Sequence, residues 1–157
     1  MAHKRIEIKK ALASAIALDP ILAKSNIMTD RANEIWEKNT PVIHISIPDE
    51  KAEKFAETPR ILKRMAMAAI EIVVQGVNFA HKVEELARLV ENQINLDLTL
   101  TRLVTDTVLV NSSFETNGDG KQPLSSQLLV YQITYHTEET PQKPTSETSS
   151  PIVQFRR

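Results

Sequence analysis

The sequence contains no cysteine and only three glycines. The absence of cysteine excludes disulfide bonds, cysteine nucleophiles and thiolate metal sites such as zinc ribbons, and it fits a protein that matures in a reducing cytosol. None of the glycines stands in a phosphate-binding pattern with lysine. The sequence therefore predicts neither a P-loop nor a dinucleotide-binding fingerprint.

The chain also lacks an excess of one charge and any long apolar run. Its 19 basic and 20 acidic side chains nearly balance, so no overall field favours nucleic acid. The best basic group is Lys4, Arg5, Lys9 and Lys10, but aromatic residues are only 4% of the chain, which is few for a stacking surface. No run approaches the roughly 18 apolar residues that span a bilayer, and the amino-terminal segment lacks a signal-peptide core. We expect a soluble, unexported protein whose partners are proteins.

The 157 residues, 41% of them apolar, are enough for one domain with one core. Two amphipathic helices are expected. In the first, residues 4–18, the apolar positions recur at helical spacing until Asp19-Pro20 interrupts them. The second follows Asn78, the predicted N-cap, and ends near Asn95. The apolar positions are Ile8, Leu12, Ala15 and Ile16 in the first helix, and Phe79, Val83, Leu86, Val90 and Ile94 in the second.

Four strands are expected. Residues 42–48 alternate isoleucine with His44 and Ser46. Residues 60–75 fit a helical stripe and a strand face equally well, and we predict a long strand because Gly76 ends the run just before a clearer helix. Residues 104–115 and 128–136 are predicted to form a hairpin around two turn-favouring pairs. These pairs are Asn117-Gly118 and Asp119-Gly120.

The connecting segments carry further predictions. Residues 20–40 are expected to be a connection, with one more helical turn around Ala32 to Trp36 as a further option. Residues 49–59 are charged and are expected to be an exposed loop of about 11 residues. Residues 137–157 are rich in threonine, serine, glutamate and proline, a composition typical of disorder. We expect an α+β domain at 1–136, with the order α-β-β-α-β-β and a mostly four-stranded antiparallel sheet. It is followed by a flexible, extended or disordered carboxy-terminal tail at 137–157.

No residue pattern predicts catalysis or a cofactor. His81 and Glu84 are three residues apart on the second helix, but a third ligand at a compatible spacing is missing. His44 and His136 lack a nucleophile and an orienting acid in context. Glu53 and Glu57 stand among lysines, which favours a solvated mixed-charge segment. Trp36 either anchors a contact or covers an edge of the core.

The layout of residues 4–136 resembles the tail terminator family of long-tailed bacteriophages. The likeness lies in the opening helix IEIKKALASAIAL, the extended PVIHISIP, the helix VEELARLVENQI and a final strand that ends in Ile133-Thr134-Tyr135. This resemblance implies a structural virion protein that is not an enzyme. It implies a homohexameric ring, assembled in the host cytoplasm and found in the virion tail or neck. The ring caps the tail tube, stops its polymerisation and joins the head–tail connector, and DNA passes through it.

Two segments are predicted to contact partners. One is the charged connection at 49–59, and the other is a short apolar and basic hook at the end of the carboxy-terminal tail. Another head–tail joining protein, such as a head-completion or connector subunit, stays open as an alternative, as does a small-ligand-binding regulator or enzyme. The candidate partner-binding residues are Lys51, Lys54, Phe55, Arg60, Ile152, Val153 and Phe155.

Overall fold

The fold is described from a computed structural model, which covers residues 3–29, 41–76, 80–117 and 124–139. The elements are α1 (Lys4–Ala17), a short 3₁₀ helix (Leu22–Lys24), β1 (Asn26–Met28), β2 (Val42–Glu57), β3 (Arg60–Gln75), α2 (Ala80–Asn95), β4 (Asp106–Asn117) and β5 (Leu124–Glu138). The described strands form one sheet in the order β1-β2-β3-β5-β4. The pairing of β1 with β2 is parallel and the other three pairings are antiparallel.

The α+β class and the two helices are confirmed. The predicted order α-β-β-α-β-β is matched only in part, because β1 stands between the first helix and the next strand. Asp19 ends the first helix as expected, and its Oδ1 then accepts from the backbone of Ile21 and Leu22 at 2.8 and 3.1 Å. The hairpin of β4 and β5 is also present, although β5 begins at Leu124 and continues to Glu138. The last strand therefore extends two residues beyond the domain boundary drawn at residue 136.

The long strand at residues 60–75 is confirmed. It lies in the middle of the sheet and pairs with β2 on one side and β5 on the other over nearly its whole length. The sequence pattern left helix and strand equal because alanine and methionine favour helix. Two flanking strands decide for the extended form, since they satisfy the backbone groups on both edges.

The prediction of an exposed loop at 49–59 is wrong. β2 continues through these residues to Glu57, and only Thr58 and Pro59, joined by a cis peptide bond, separate it from β3. The strand is hard to see in the sequence because four of its seven residues beyond Glu50 are charged and all except Ala56 are exposed, so no apolar face repeats along it. Its backbone pairing with β3 holds it extended, with register shifts after Ser46 and after Lys54.

The segment expected to be a connection, residues 20–40, contains the strand β1. The described residues therefore form a five-stranded sheet where a mostly four-stranded one was predicted. β1 has three residues, too few to show an alternating pattern. It exists because Asn26, Ile27 and Met28 pair with Val42, Ile43 and His44 at the start of β2. This pairing makes the sheet mixed instead of purely antiparallel.

The core lies between the two helices and one face of the sheet, where α1 packs on β2 and α2 packs on β3 and β5. Burying each large aliphatic side chain there contributes roughly 1.5–3 kcal/mol. Its members include Ile8, Leu12, Ile16, Ile43, Ile45, Ala66, Ala68, Ile70, Ile72, Val83, Leu86, Val90, Ile94, Leu129, Tyr131, Ile133 and Tyr135. No described helix covers the opposite face, which we call the helix-free face. It carries the partly buried Met65, Met67, Leu128 and Val130.

Several predicted features lie outside the described residues. These are the optional helical turn near Trp36, the N-cap Asn78 and the two glycines of the predicted turn pairs, Gly118 and Gly120. The hook residues Ile152, Val153 and Phe155 lie outside them as well.

Candidate interaction surface

The outer end of the β2–β3 hairpin, together with the end of β5, forms what we call the arm, comprising residues 51–63 and 136–138. Every β2 residue from Lys51 to Glu57 except Ala56 is exposed. At about 3.3 Å per residue, this part of β2 spans roughly 20 Å. β1 pairs only with Val42 to His44, so no strand in the described ranges pairs with the outer edge of β2 along the arm.

A polar network joins the base of the arm to the rest of the sheet. Arg64 donates from Nη1 to Glu50 Oε2 at 2.9 Å and from Nε to Thr137 Oγ1 at 2.8 Å. The side chains of Arg64 and Glu50 are only 24% and 12% exposed. Tyr135 donates its hydroxyl to the other oxygen of Glu50. Three strands are therefore linked at the point where the arm begins.

The protonation of this network follows from its burial and charges. Burial raises the pKa of Tyr135 well above its ordinary value of 10, and the hydrogen bond to Glu50 and the charge of Glu50 raise it further. Burial of Arg64 lowers its pKa. The hydrogen bond to Glu50 and the charge of Glu50 outweigh this effect, so the pKa of Arg64 is raised overall. The network thus holds a neutral tyrosine and a charged guanidinium on one carboxylate at neutral pH.

At the tip of the arm, Glu57 bridges two cations. Its carboxylate lies 2.6 Å from Lys54 Nζ and 3.2 Å from Arg60 Nη2. The hydrogen bond from Lys54, followed by that from Arg60, lowers the pKa of Glu57. All three side chains are more than half exposed, so these pairs add little to folding stability. Glu53, which lies 4.0 Å from Lys63 Nζ, and Glu57 are thus each paired with a cation.

Phe55 is the most unusual side chain of the arm, because it is 62% exposed. Its ring meets the edge of the His136 ring at a centroid distance of 4.5 Å and an angle of 63°. His136 Nδ1 lies 3.2 Å from Thr105 Oγ1. His136 Nε2 is buried and has no hydrogen-bond partner among the described residues. A large aromatic side chain thus contacts the His136 ring while most of its surface remains exposed.

The predicted site residues separate into two groups. Lys51, Lys54, Phe55 and Arg60 all lie on the arm and are exposed, so the structure brings these four together on one projecting element. Ile152, Val153 and Phe155 lie outside the described residues. The sequence analysis missed the base network, although Glu50 followed by an arginine within the next strand is a signal for a cross-strand ion pair.

The other chemistry-bearing residues do not form a site in the described part of the chain. His81 and Glu84 lie exposed on α2, and His44 lies opposite Glu71 in the pairing of β2 with β3. Residues 3–29, 41–76, 80–117 and 124–139 contain no group of three or more histidine, aspartate or glutamate side chains that could hold a metal ion.

Comparison with known proteins and a search for membrane helices added two findings. Neither a protein-family model nor a curated protein sequence matches the chain. None of the helices in the described ranges combines the length and apolar character that crossing a bilayer requires.

Proposed function

We propose that this chain is a structural subunit of the tail terminator type, which assembles with its own copies into a hexameric ring. The ring caps the tail tube, stops its polymerisation and joins the head–tail connector. The observation that carries the proposal is the arm: it projects beyond the core, exposes both faces and, among the described residues, one edge, and presents Phe55 at its surface. A neighbouring copy can supply contacts to such an element.

The arm suits a heterologous contact, in which one patch of each subunit meets a different patch of the next and the series closes into a ring. The helix-free face of a neighbouring copy is the surface we assign to it. Met65 and Met67 lie on that face partly buried, and methionine side chains adapt well to an inserted aromatic ring. The charged residues of the arm surround Phe55 as a polar rim around an apolar anchor.

The ring contact is tested by replacing its anchor. In Phe55→Ser, we expect the association constant between subunits to fall by about 30-fold or more, because an aromatic anchor at an interface commonly contributes about 2 kcal/mol or more. Native mass spectrometry and light scattering over a concentration series measure this. Phe114→Ser is the matched control, since Phe114 is 43% exposed on β4 and faces the helix side. A wild-type chain that stays monomeric at micromolar concentration contradicts the ring.

The place of the ring in the particle is tested by electron microscopy of a tagged chain. We expect the tag at the upper end of purified tails, one ring per tail. A tag that stays with tail-free capsids favours a head-completion or connector subunit instead, because such proteins join the head before the tail arrives.

A further inference from the structure

A second uncovered feature lies on the helix side of the sheet, between α1 and the residues that follow α2. It is an open groove with a volume of about 590 Å³, within the range of pockets that hold small molecules or peptide side chains. We call it the helix groove. Its apolar wall is built by Ala11, Ala15, Leu18, Leu96, Leu100 and Leu103.

The helix groove is both apolar and firmly built. Leu18 and Leu96 are 79% and 72% exposed, which is unusual for two large aliphatic side chains that line the same groove. Gln93 Nε2 donates to the backbone oxygen of Ala15 at 3.0 Å and ties the two helices together. Leu100 is buried in the core and anchors the loop after α2. The groove thus keeps its shape without an occupant.

Charge narrows the choice of occupant. Glu7 and Asp97 line the groove together with one cation, Lys10. The Asp97 carboxylate accepts hydrogen bonds from Thr99 and Thr101, and those from Thr101 and then Thr99 lower its pKa, so it is charged at neutral pH. An occupant with apolar side chains next to positive charge therefore fits the groove better than an acidic one.

The chain itself contains such a segment. Residues 151–157 read PIVQFRR, with three large apolar side chains, two arginines and no acid. Residues 140–151 separate Ile152 from Glu139, the last described residue before it. At up to about 3.3–3.6 Å per residue, this linker spans as much as roughly 40 Å. The groove of the same subunit lies within that reach, because the backbone nitrogen of Thr105, in the loop that lines the groove, donates to Thr134 O on β5 at 2.7 Å.

We propose that residues 152–157 of this chain dock in the helix groove, with Ile152, Val153 and Phe155 against its leucines and the arginines beside Glu7 and Asp97. Docking of a tethered segment gains from a high effective concentration, so modest intrinsic affinity is sufficient. This inference stands apart from the proposed ring, because the segment can come from either the same or a neighbouring chain.

The absence of native cysteine allows a direct test in the full-length chain. With Leu96→Cys and Phe155→Cys combined, mild oxidation is expected to link most molecules through a disulfide. The matched control combines Phe155→Cys with Phe114→Cys, which is exposed on β4 outside the groove, and its yield should be several-fold lower. Equal yields from the two pairs overturn the proposal. On a non-reducing gel, a monomeric product assigns the docking to one chain and a dimeric product assigns it to neighbours, and both support occupation of the groove.

A peptide experiment tests the same contact without cross-linking. A labelled peptide of residues 151–157 is titrated into full-length Ile152→Asp/Phe155→Asp, whose own segment is disabled. We expect saturable binding that weakens at least tenfold when Leu18→Glu is added, a change at an exposed position that leaves the core intact. Binding that is absent, or that is unaffected by Leu18→Glu, contradicts the proposal. Failure here leaves the ring measurement untouched, so the two proposals are judged separately.

Discussion

Three consecutive residues after α2 have left-handed backbone angles, although none is glycine. The φ angles of Leu100, Thr101 and Arg102 are 50°, 60° and 66°. Each such residue costs roughly 1–2 kcal/mol. The structure offsets this cost by burying Leu100 and through Asp97, which accepts from Thr99 N at 3.2 Å and from Thr101 N at 2.6 Å. One carboxylate therefore organises the loop beside the helix groove.

Asp97→Asn tests this role. We expect a lower urea midpoint at pH 7, because the amide has one acceptor oxygen where the carboxylate has two. Hydrogen bonds hold the pKa of Asp97 below its ordinary value of 3.8, so its stabilisation is complete above that value and is lost as pH falls through the lowered pKa. The difference between wild type and variant should shrink when the pH falls below about 3.8. A difference that stays constant down to pH 2 shows that the charge of Asp97 is not responsible.

At the scale of the element, the arm depends on a partly buried ion pair at its base and on exposed pairs farther out. The pair of Arg64 with Glu50 is only 24% and 12% exposed, whereas Lys63 and Glu53 are 4.0 Å apart and more exposed. Losing one partner of a buried pair leaves the other without its hydrogen bonds. Two neighbouring cations on β3 thus differ in what they contribute.

We expect Arg64→Met to lower the free energy of unfolding by about 1–3 kcal/mol, because Glu50 loses its cation. Lys63→Met, on the adjacent position of the same strand, should change it by less than about 1 kcal/mol. Urea denaturation measures both. Hydrogen exchange should also be faster across the arm in Arg64→Met alone. Equal effects of the two substitutions argue against a special role for the base network.

At the scale of the whole molecule, three uncovered regions stand out in the described residues: the arm and the helix-free face on the sheet, and the helix groove beside α1 and α2. The core needs none of them, since its buried side chains come from α1, α2 and the central strands. Thr137 belongs to the fold because its hydroxyl accepts from Arg64. Glu139 does as well, since its backbone nitrogen donates to Arg60 O at 2.9 Å. The fold therefore extends at least to Glu139, beyond the domain boundary drawn at residue 136.

Deletion of residues 140–157 should leave the free energy of unfolding within about 0.5 kcal/mol of wild type, because every core residue in the described ranges is kept. Where cross-linking assigns the docking to neighbouring chains, the truncated chain should also assemble into rings less well, since it lacks that contact between subunits. Deletion from residue 137 is a useful comparison. That shorter chain should be less stable, because Arg64 then loses its hydrogen bond to Thr137. Unfolding of the chain truncated after Glu139 refutes this view of the segment.

The sequence by itself determined the elements whose apolar residues repeat with a clear period. Both helices, the start of β2 and the inward face of β5 follow from the spacing of residues such as Ile8, Leu12 and Tyr131. The sequence also indicated four partner-binding candidates on one segment, because charged residues around a lone aromatic residue can be read directly from it. All four are exposed in the structure. Local periodicity is enough wherever one side of an element is buried and the other is solvated.

The tertiary structure alone decided the rest, because it depends on pairing between distant segments. Residues 51–57 are a strand only because β3 lies beside them, and β1 exists only because β2 offers an edge. The network of Glu50, Arg64 and Tyr135 joins residues up to 85 positions apart. The helix groove likewise needs α1 and the loop after α2 in contact. Backbone hydrogen bonds and long-range packing carry no local signature in the chain, so only the folded molecule reveals them.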